Sequence, residues 1–241
     1  MEVLQQKEKR KQFIFAGVVV LVVFAGFILS YLYGKPVILI DAGHGGADVG
    51  AVGVISEVEL TEPTAEALKQ LFKEDGRFRP VLSRKAGEGM SIDARNRKFR
   101  HRFADLVLSI HGNAEDYGTG SGFECYPSPP SCENHGESME LARLLTEEMA
   151  AEGAMLRGSN GIKFGYYDEN GSKMLVDSKD TQSYGYNTFG VLQNLRCPAV
   201  LAEQCFVTNA ADVRSFGTAE GCQRAAEAYY RAICRYFEET E

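Results

Sequence analysis

From residue 36 onward, short apolar β-rich runs alternate with stretches of helical periodicity, and that alternation limits the fold more than any other feature. Val37 to Asp41 (VILID), Arg79 to Arg84, Asp105 to His111 (DLVLSIH), Phe123 to Tyr126 and Pro198 to Phe206 (PAVLAEQCF) read as strands. Residues 62–73 put Ala65, Leu68, Leu71 and Phe72 on one helical face, with Pro63 in the first turn. Ser91 to Phe103 reads as a charged helix. His135 to Ala151 turns Met139, Leu141, Leu144, Leu145 and Met149 inward, and Ala219 to Phe237 closes the chain as an amphipathic helix. Strands separated by helices call for a three-layer α/β domain with a mostly parallel central sheet. Residues 157–187, rich in Gly, Asn, Asp, Ser and Tyr, read as an extended loop or hairpin excursion.

The first 35 residues show a different pattern. No charge interrupts residues 13–33, while Lys7, Lys9, Arg10 and Lys11 stand directly before them. About 20 apolar residues rising 1.5 Å each span the roughly 30 Å of a hydrocarbon layer. A cleaved signal peptide would be shorter and end in a small-x-small site, and none precedes Lys35. The expected organisation is a basic cytoplasmic tail (1–12), one transmembrane helix (13–33) and an extracytoplasmic domain (36–241), because positive charge is retained inside. The chain would then sit in the cell membrane with a single pass and its domain on the outer side.

Charge narrows the partners. The tail before Gln12 carries four basic and two acidic residues, leaving 22 basic and 31 acidic from totals of 26 and 33. So acidic a domain has no electrostatic footprint for nucleic acid. Six cysteines in an exported domain invite disulfides. Cys197 and Cys205 flank one strand, however, and eight residues at about 3.3 Å place them some 26 Å apart, beyond bridging distance. Cys125 and Cys132 bracket the turn-rich YPSPPS, which can bring them together. No C-x-x-C pair supports a thiolate zinc site, so most of these cysteines read as free buried thiols.

The chemistry gathers at strand ends. VILID runs into Ala42-Gly43-His44-Gly45-Gly46, DLVLSI into His111-Gly112-Asn113-Ala114, and PAVLA into Glu203. In open α/β sheets ligands bind beyond the carboxyl ends of the strands, so two imidazoles and a carboxylate arrive at one edge. A lone strand-end histidine or glutamate is ordinarily a solvated group, but three together after buried strands are costly unless they share a task. Two neutral imidazoles and one carboxylate suit zinc with an open position for water, and a second carboxylate is then free to take a proton. His135, at the start of a helix, and His101, in a basic one, read as surface residues.

At these residues the chain resembles a known family. The runs IDAGHGGADVGAVG, SEVELT, SRKAGEGMSIDARN, LSIHGNA and PAVLAEQCFVTN are similar, in order and over residues 36–237, to the zinc-dependent N-acetylmuramoyl-L-alanine amidases of the amidase 3 type. That resemblance implies a central, mostly parallel sheet of about six strands flanked by helices. It implies one Zn2+ held by His44, Glu57 and His111, with Glu203 as catalytic acid and base. Glu59 competes with Glu57 for the third ligand position. Aligning the family's acidic pattern on Glu57 puts Leu68, Leu71 and Phe72 on the apolar positions of the helix that follows, whereas aligning it on Glu59 throws them out of phase, so the resemblance favours Glu57. Arg84, Arg95, Asn113 and Asn209 also match family positions, as substrate contacts or as supports of the metal ligands, and for the arginines a structural ion pair is the favoured reading. Cys205 stands where the family carries glycine, on the strand face of Glu203 by two-residue alternation.

The implied substrate is peptidoglycan, a glycan with peptide stems, cut between the lactyl group of N-acetylmuramic acid and L-alanine. A zinc peptidase acting on the stems, and a wall-binding or activator-docking protein without catalysis, are the alternatives; the sequence names no protein activator. Tyr166, Tyr167, Tyr184 and Tyr186 in the 157–187 excursion are candidates for stacking on sugars.

Overall fold

The computed structural model describes residues 11, 14, 15, 17–26 and 34–240. Its contacts divide the chain into two units, residues 1–35 and 36–241. In the first, residues 17–26 are helical and expose apolar side chains such as Val20, Leu21 and Phe24. Much of the expected span 13–33 lies outside the described residues, and no described helix is long and apolar enough to cross a membrane.

The second unit is built on a sheet of five strands, β1 (Val37–Ala42), β2 (Arg79–Leu82), β3 (Leu106–Asn113), β4 (Glu124–Pro127) and β8 (Ala199–Phe206). Their order across the sheet is β2-β1-β3-β8-β4. The first four in that order are parallel, and β4 closes the edge antiparallel to β8. The sheet thus has five strands where about six were expected. The excursion contributes β5 (Lys163–Tyr167), β6 (Lys173–Asp177) and β7 (Asn187–Thr188), which form a separate three-stranded sheet in the order β6-β5-β7. Among the described residues, isolated bridges at Phe123–Leu156 and Cys125–Ile162 join the β4 edge to the start of the excursion.

Strand alternation sorts the core into two layers. Ile38, Ile40, Leu106, Leu108, Ile110, Val200 and Ala202 pack against three helices, α1 (Val58–Asp75), α3 (His135–Ala151) and α5 (Ala219–Thr240). Leu39, Val107, Ala199 and Leu201 face the other way, onto Phe99 of α2 (Ile92–His101) and the segment Phe189 to Leu195. The layers therefore obey the sequence pattern, with odd and even positions of each strand serving opposite faces. Alanines at 225, 226, 228 and 232 let α5 approach its neighbours closely. Between β8 and α5 lie the short α4 (Ala210–Asp212) and a π turn, Val213–Gly217.

Helix α1 begins earlier than periodicity predicted, at Val58, so Pro63 lies in its interior and forfeits one backbone bond. What starts the helix there is Glu59, whose carboxylate reaches back to accept from both the backbone N–H (2.8 Å) and the hydroxyl (2.7 Å) of Ser56. This reach-back is one half of a capping box. It fixes Glu59 outside the site and leaves Glu57, two residues earlier, to point inward. All six cysteines are free, Cys125 and Cys132 included.

Candidate active site

β1 delivers His44 and β3 delivers His111 to the carboxyl end of the sheet, where the N-terminus of α1 supplies Glu57. Ligand atoms of these three side chains lie within 4.8 Å of one another. Glu57 bridges the histidines, with Oε2 3.1 Å from His44 Nε2 and Oε1 2.8 Å from His111 Nδ1. Backbone amides of Ala51 and Gly112 donate to the same carboxylate at 3.1 Å each.

Close approach of the chain makes this possible. His44 adopts the left-handed backbone (φ 56°), which turns the chain sharply after β1. A side chain at Gly43 would place its Cβ 2.5 Å from the His111 ring, and one at Gly50 would meet Glu57 Oε2 at 2.6 Å. Both glycines are required by contact rather than by flexibility alone.

The electrostatics describe a site that wants a cation. Hydrogen bonding to Glu57 pushes His44 up to about 9 despite burial, with Asp48 adding to the effect. Burial opposes charge on His111, yet Glu57 outweighs it and raises that ring as well. Burial likewise disfavours ionised Glu57, but bonds from His111 and His44 hold its carboxyl far below the usual range. A buried anion that draws protons onto two imidazoles has the donor set and the charge demand of a divalent-metal site. The three residues fit zinc.

Glu203 is the neighbour of His111 in the β3–β8 ladder and lines the same cavity of about 380 Å3. Its Oε2 is buried and has no hydrogen-bond partner. Burial is the main reason its pKa rises to about 7. An orphaned carboxylate beside the cluster, near neutral pKa, has the properties of a proton shuttle.

Arg84 and Arg95 are both buried and act on the backbone that carries His44. Arg84 donates to the carbonyls of Ala42 (3.1 Å) and Gly43 (2.9 Å) and pairs with Glu62 at 2.5 Å. Arg95 pairs with buried Asp41 at 2.5 Å and donates to the carbonyls of Ala42 and His44. Both arginines are thus engaged in ion pairs and backbone bonds beneath His44. Asn113 and Asn209 make their side-chain bonds outside the histidine–glutamate cluster. The amide of Asn113 donates to Glu124 at 2.6 Å, and Asn209 caps the short helix α4 by accepting from the amides of Ala211 and Asp212.

Cys205 is also placed differently from the two-residue expectation. An extra residue in β8, between the pairs His111–Glu203 and Asn113–Phe206, shifts the register there. Cys205 consequently packs in the layer of α1, α3 and α5. His135 is half-buried and its Nδ1 donates to the Ser128 carbonyl at 2.9 Å, a structural bond. His101 is exposed as expected, whereas Tyr166 is fully buried and out of reach of any sugar.

Sequence reasoning missed Asp48 and Lys173. Asp48 Oδ2 lies 2.9 Å from His44 Nδ1 and so fixes the ring that carries Nε2 to Glu57. Its signal was a carboxylate four residues after a candidate ligand histidine. Lys173 reaches the cavity from the separate sheet, and nothing local in its sequence announces that.

The family Amidase_3, described as N-acetylmuramoyl-L-alanine amidase, matches residues 38–235. An uncharacterised Bacillus subtilis protein, YqiI, is 30% identical over 205 residues, covering 84% of this chain and 85% of its own length. The N-acetylmuramoyl-L-alanine amidase LytC of the same organism is 29% identical over 83% of this chain, which spans only 35% of LytC. Among solved structures, the catalytic domain of the amidase CwlV from Bacillus (Paenibacillus) polymyxa superposes with a TM-score of 0.68 at 22% identity, over 85% of this chain and 99% of that one. An N-acetylmuramoyl-L-alanine amidase from Clostridium difficile 630 gives 0.70 at 23% identity, over 86% and 99%. With its sheet, its histidine–glutamate cluster and this match over most of its length, the chain belongs to the N-acetylmuramoyl-L-alanine amidase family.

Proposed function

We propose that the chain hydrolyses the amide between the lactyl group of N-acetylmuramic acid and L-alanine in peptidoglycan, with one zinc ion held by His44, Glu57 and His111. The observation that carries this reading is the cluster of two imidazoles and one carboxylate, with Glu203 lining the same cavity as both imidazoles. When bound, zinc supplies Lewis acidity to water and to a carbonyl oxygen. The remaining work belongs to the side chains. Glu203 accepts the proton that water loses as its oxygen adds to the amide carbon. It then returns that proton to the departing nitrogen, without which an amine leaves poorly. A pKa near 7 suits both directions of transfer. Asp48 and Glu57 orient and anchor the His44 ring, and Arg84 and Arg95 hold the backbone beneath it.

We further propose that residues 13–33 tether the domain to the outer face of the cell membrane. The uncharged run and the basic residues before it support that reading, as do the exposed apolar side chains at 18–24.

Product analysis on defined muropeptides tests the activity. The purified chain should release free stem peptide, a chelator should stop the release, and Glu203→Gln should abolish it while retaining the metal. New termini within the stem would instead identify a peptidase.

A further inference from the structure

The hairpin of β5 and β6 belongs to the separate sheet, yet it forms one wall of the catalytic cavity. Tyr167 and Lys173 are register partners across that hairpin, and both line the cavity with Glu203. The hairpin is docked firmly on Phe189. A Cβ at Gly165 would overlap that ring at 2.5 Å from Cε2, Tyr167 meets it edge-on at 5.9 Å, and the Thr188 hydroxyl donates to the Gly165 carbonyl at 2.9 Å.

The Lys173 ammonium rests over the ring faces of Phe189 (5.1 Å to the centroid) and Tyr126 (5.9 Å). Ring quadrupoles hold a cation in place without neutralising it. Lys173 makes no ion pair among the described residues, and the orphaned Oε2 shows that it does not bond that oxygen of Glu203. Arg95, the other long cationic side chain lining the cavity, is consumed by Asp41 and backbone carbonyls. One positioned positive charge, acting on Glu203 through space but held in no ion pair among the described residues, therefore faces the space a substrate must enter.

We propose that Lys173 is a specificity residue that binds a carboxylate of the peptide stem, on the leaving side of the scissile amide. This rests on the amidase reading, since it is the peptide side of such a substrate that carries carboxylates. Tyr167, across the hairpin, packs against Phe189 and keeps the wall in place.

The test compares two product peptides, L-alanyl-D-glutamate with its γ-carboxyl blocked as the methylamide and its α-carboxylate free, and the same peptide with the α-carboxyl amidated as well, titrated calorimetrically into the full chain. Binding of a product needs no turnover, so loss of wall cleavage counts against the amidase reading and loss of discrimination counts against Lys173. The wild type should bind the acid roughly tenfold more tightly than the amide, the size of one charge-assisted contact at a partly exposed site. Lys173→Met should remove that difference by weakening the acid alone, and Lys173→Arg should keep most of it. With matching muropeptide substrates, the Met variant should raise KM for the acid and leave KM for the amide unchanged. Equal affinity of the wild type for both peptides, no binding of either, or equal weakening of both by Lys173→Met would each overturn the proposal. Unchanged melting of the Met variant confirms that the fold is not the cause.

Discussion

Glu203→Gln should make the metal-free protein more stable, and increasingly so as the pH rises. In the native chain the carboxyl is buried and its pKa stands at about 7, against an ordinary 4.5. A carboxyl whose folded pKa is raised favours folding when protonated, so stability is highest below the unfolded value and is lost as pH rises between 4.5 and 7. Linkage puts the loss at about 3 kcal/mol at pH 8 and about 1 kcal/mol at pH 5. Glutamine keeps the shape and cannot ionise, so it recovers this difference. For a domain of this size, the stabilisation at pH 8 corresponds to a rise of roughly 10 °C in Tm over the wild type. The assay is thermal unfolding of chelator-treated wild type and variant at pH 5 and pH 8. Comparing the two pH values cancels whatever the amide itself costs in the cavity. If the variant gains the same increment at both pH values, or none at pH 8, Glu203 is not a buried acid poised near neutrality.

Two further outcomes concern the supports of the proposed metal ligands. Asp48→Asn should weaken zinc binding by about tenfold, the lower end for a partner that orients a ligand histidine, because Asp48 is itself largely exposed; competition with a chromogenic chelator measures it, and unaltered affinity would dismiss the orienting role. Arg95→Met should cost about 3–5 kcal/mol by leaving Asp41 as an uncompensated buried anion. That loss appears as a lowered Tm without substrate, whereas an arginine used only to contact substrate would leave Tm alone and raise KM.

The parallel core and the three strand-end residues were legible because they rest on local pattern. VILID, DLVLSI and PAVLA are apolar on both faces, as strands covered by helices on both sides must be, and each reads directly into His44, His111 or Glu203. Glu57 was reached by aligning the family pattern in helical phase, and in the structure the Glu59 carboxylate is taken up in capping Ser56. What escaped the reading is non-local. Four residues of β4 pair antiparallel to a strand about 75 positions later, and the excursion makes its own sheet instead of extending the central one. Asn209 looked functional from its motif but is spent on a helix cap. Lys173 becomes part of the cavity only because β6 folds back beside β5, a pairing that polar, glycine-rich segments specify weakly.

The extra residue in β8 has a consequence for how this position can drift over generations. Strict alternation would chain positions 203 and 205 to a common environment, so that any change in bulk at one would be felt by the reacting groups at the other. With the offset, the thiol at 205 answers to the fit of the helices behind the sheet, among them Cys222 and Tyr229 of α5. A replacement there is then judged first by how well the protein holds together, because its side chain packs away from the cavity in front of the sheet.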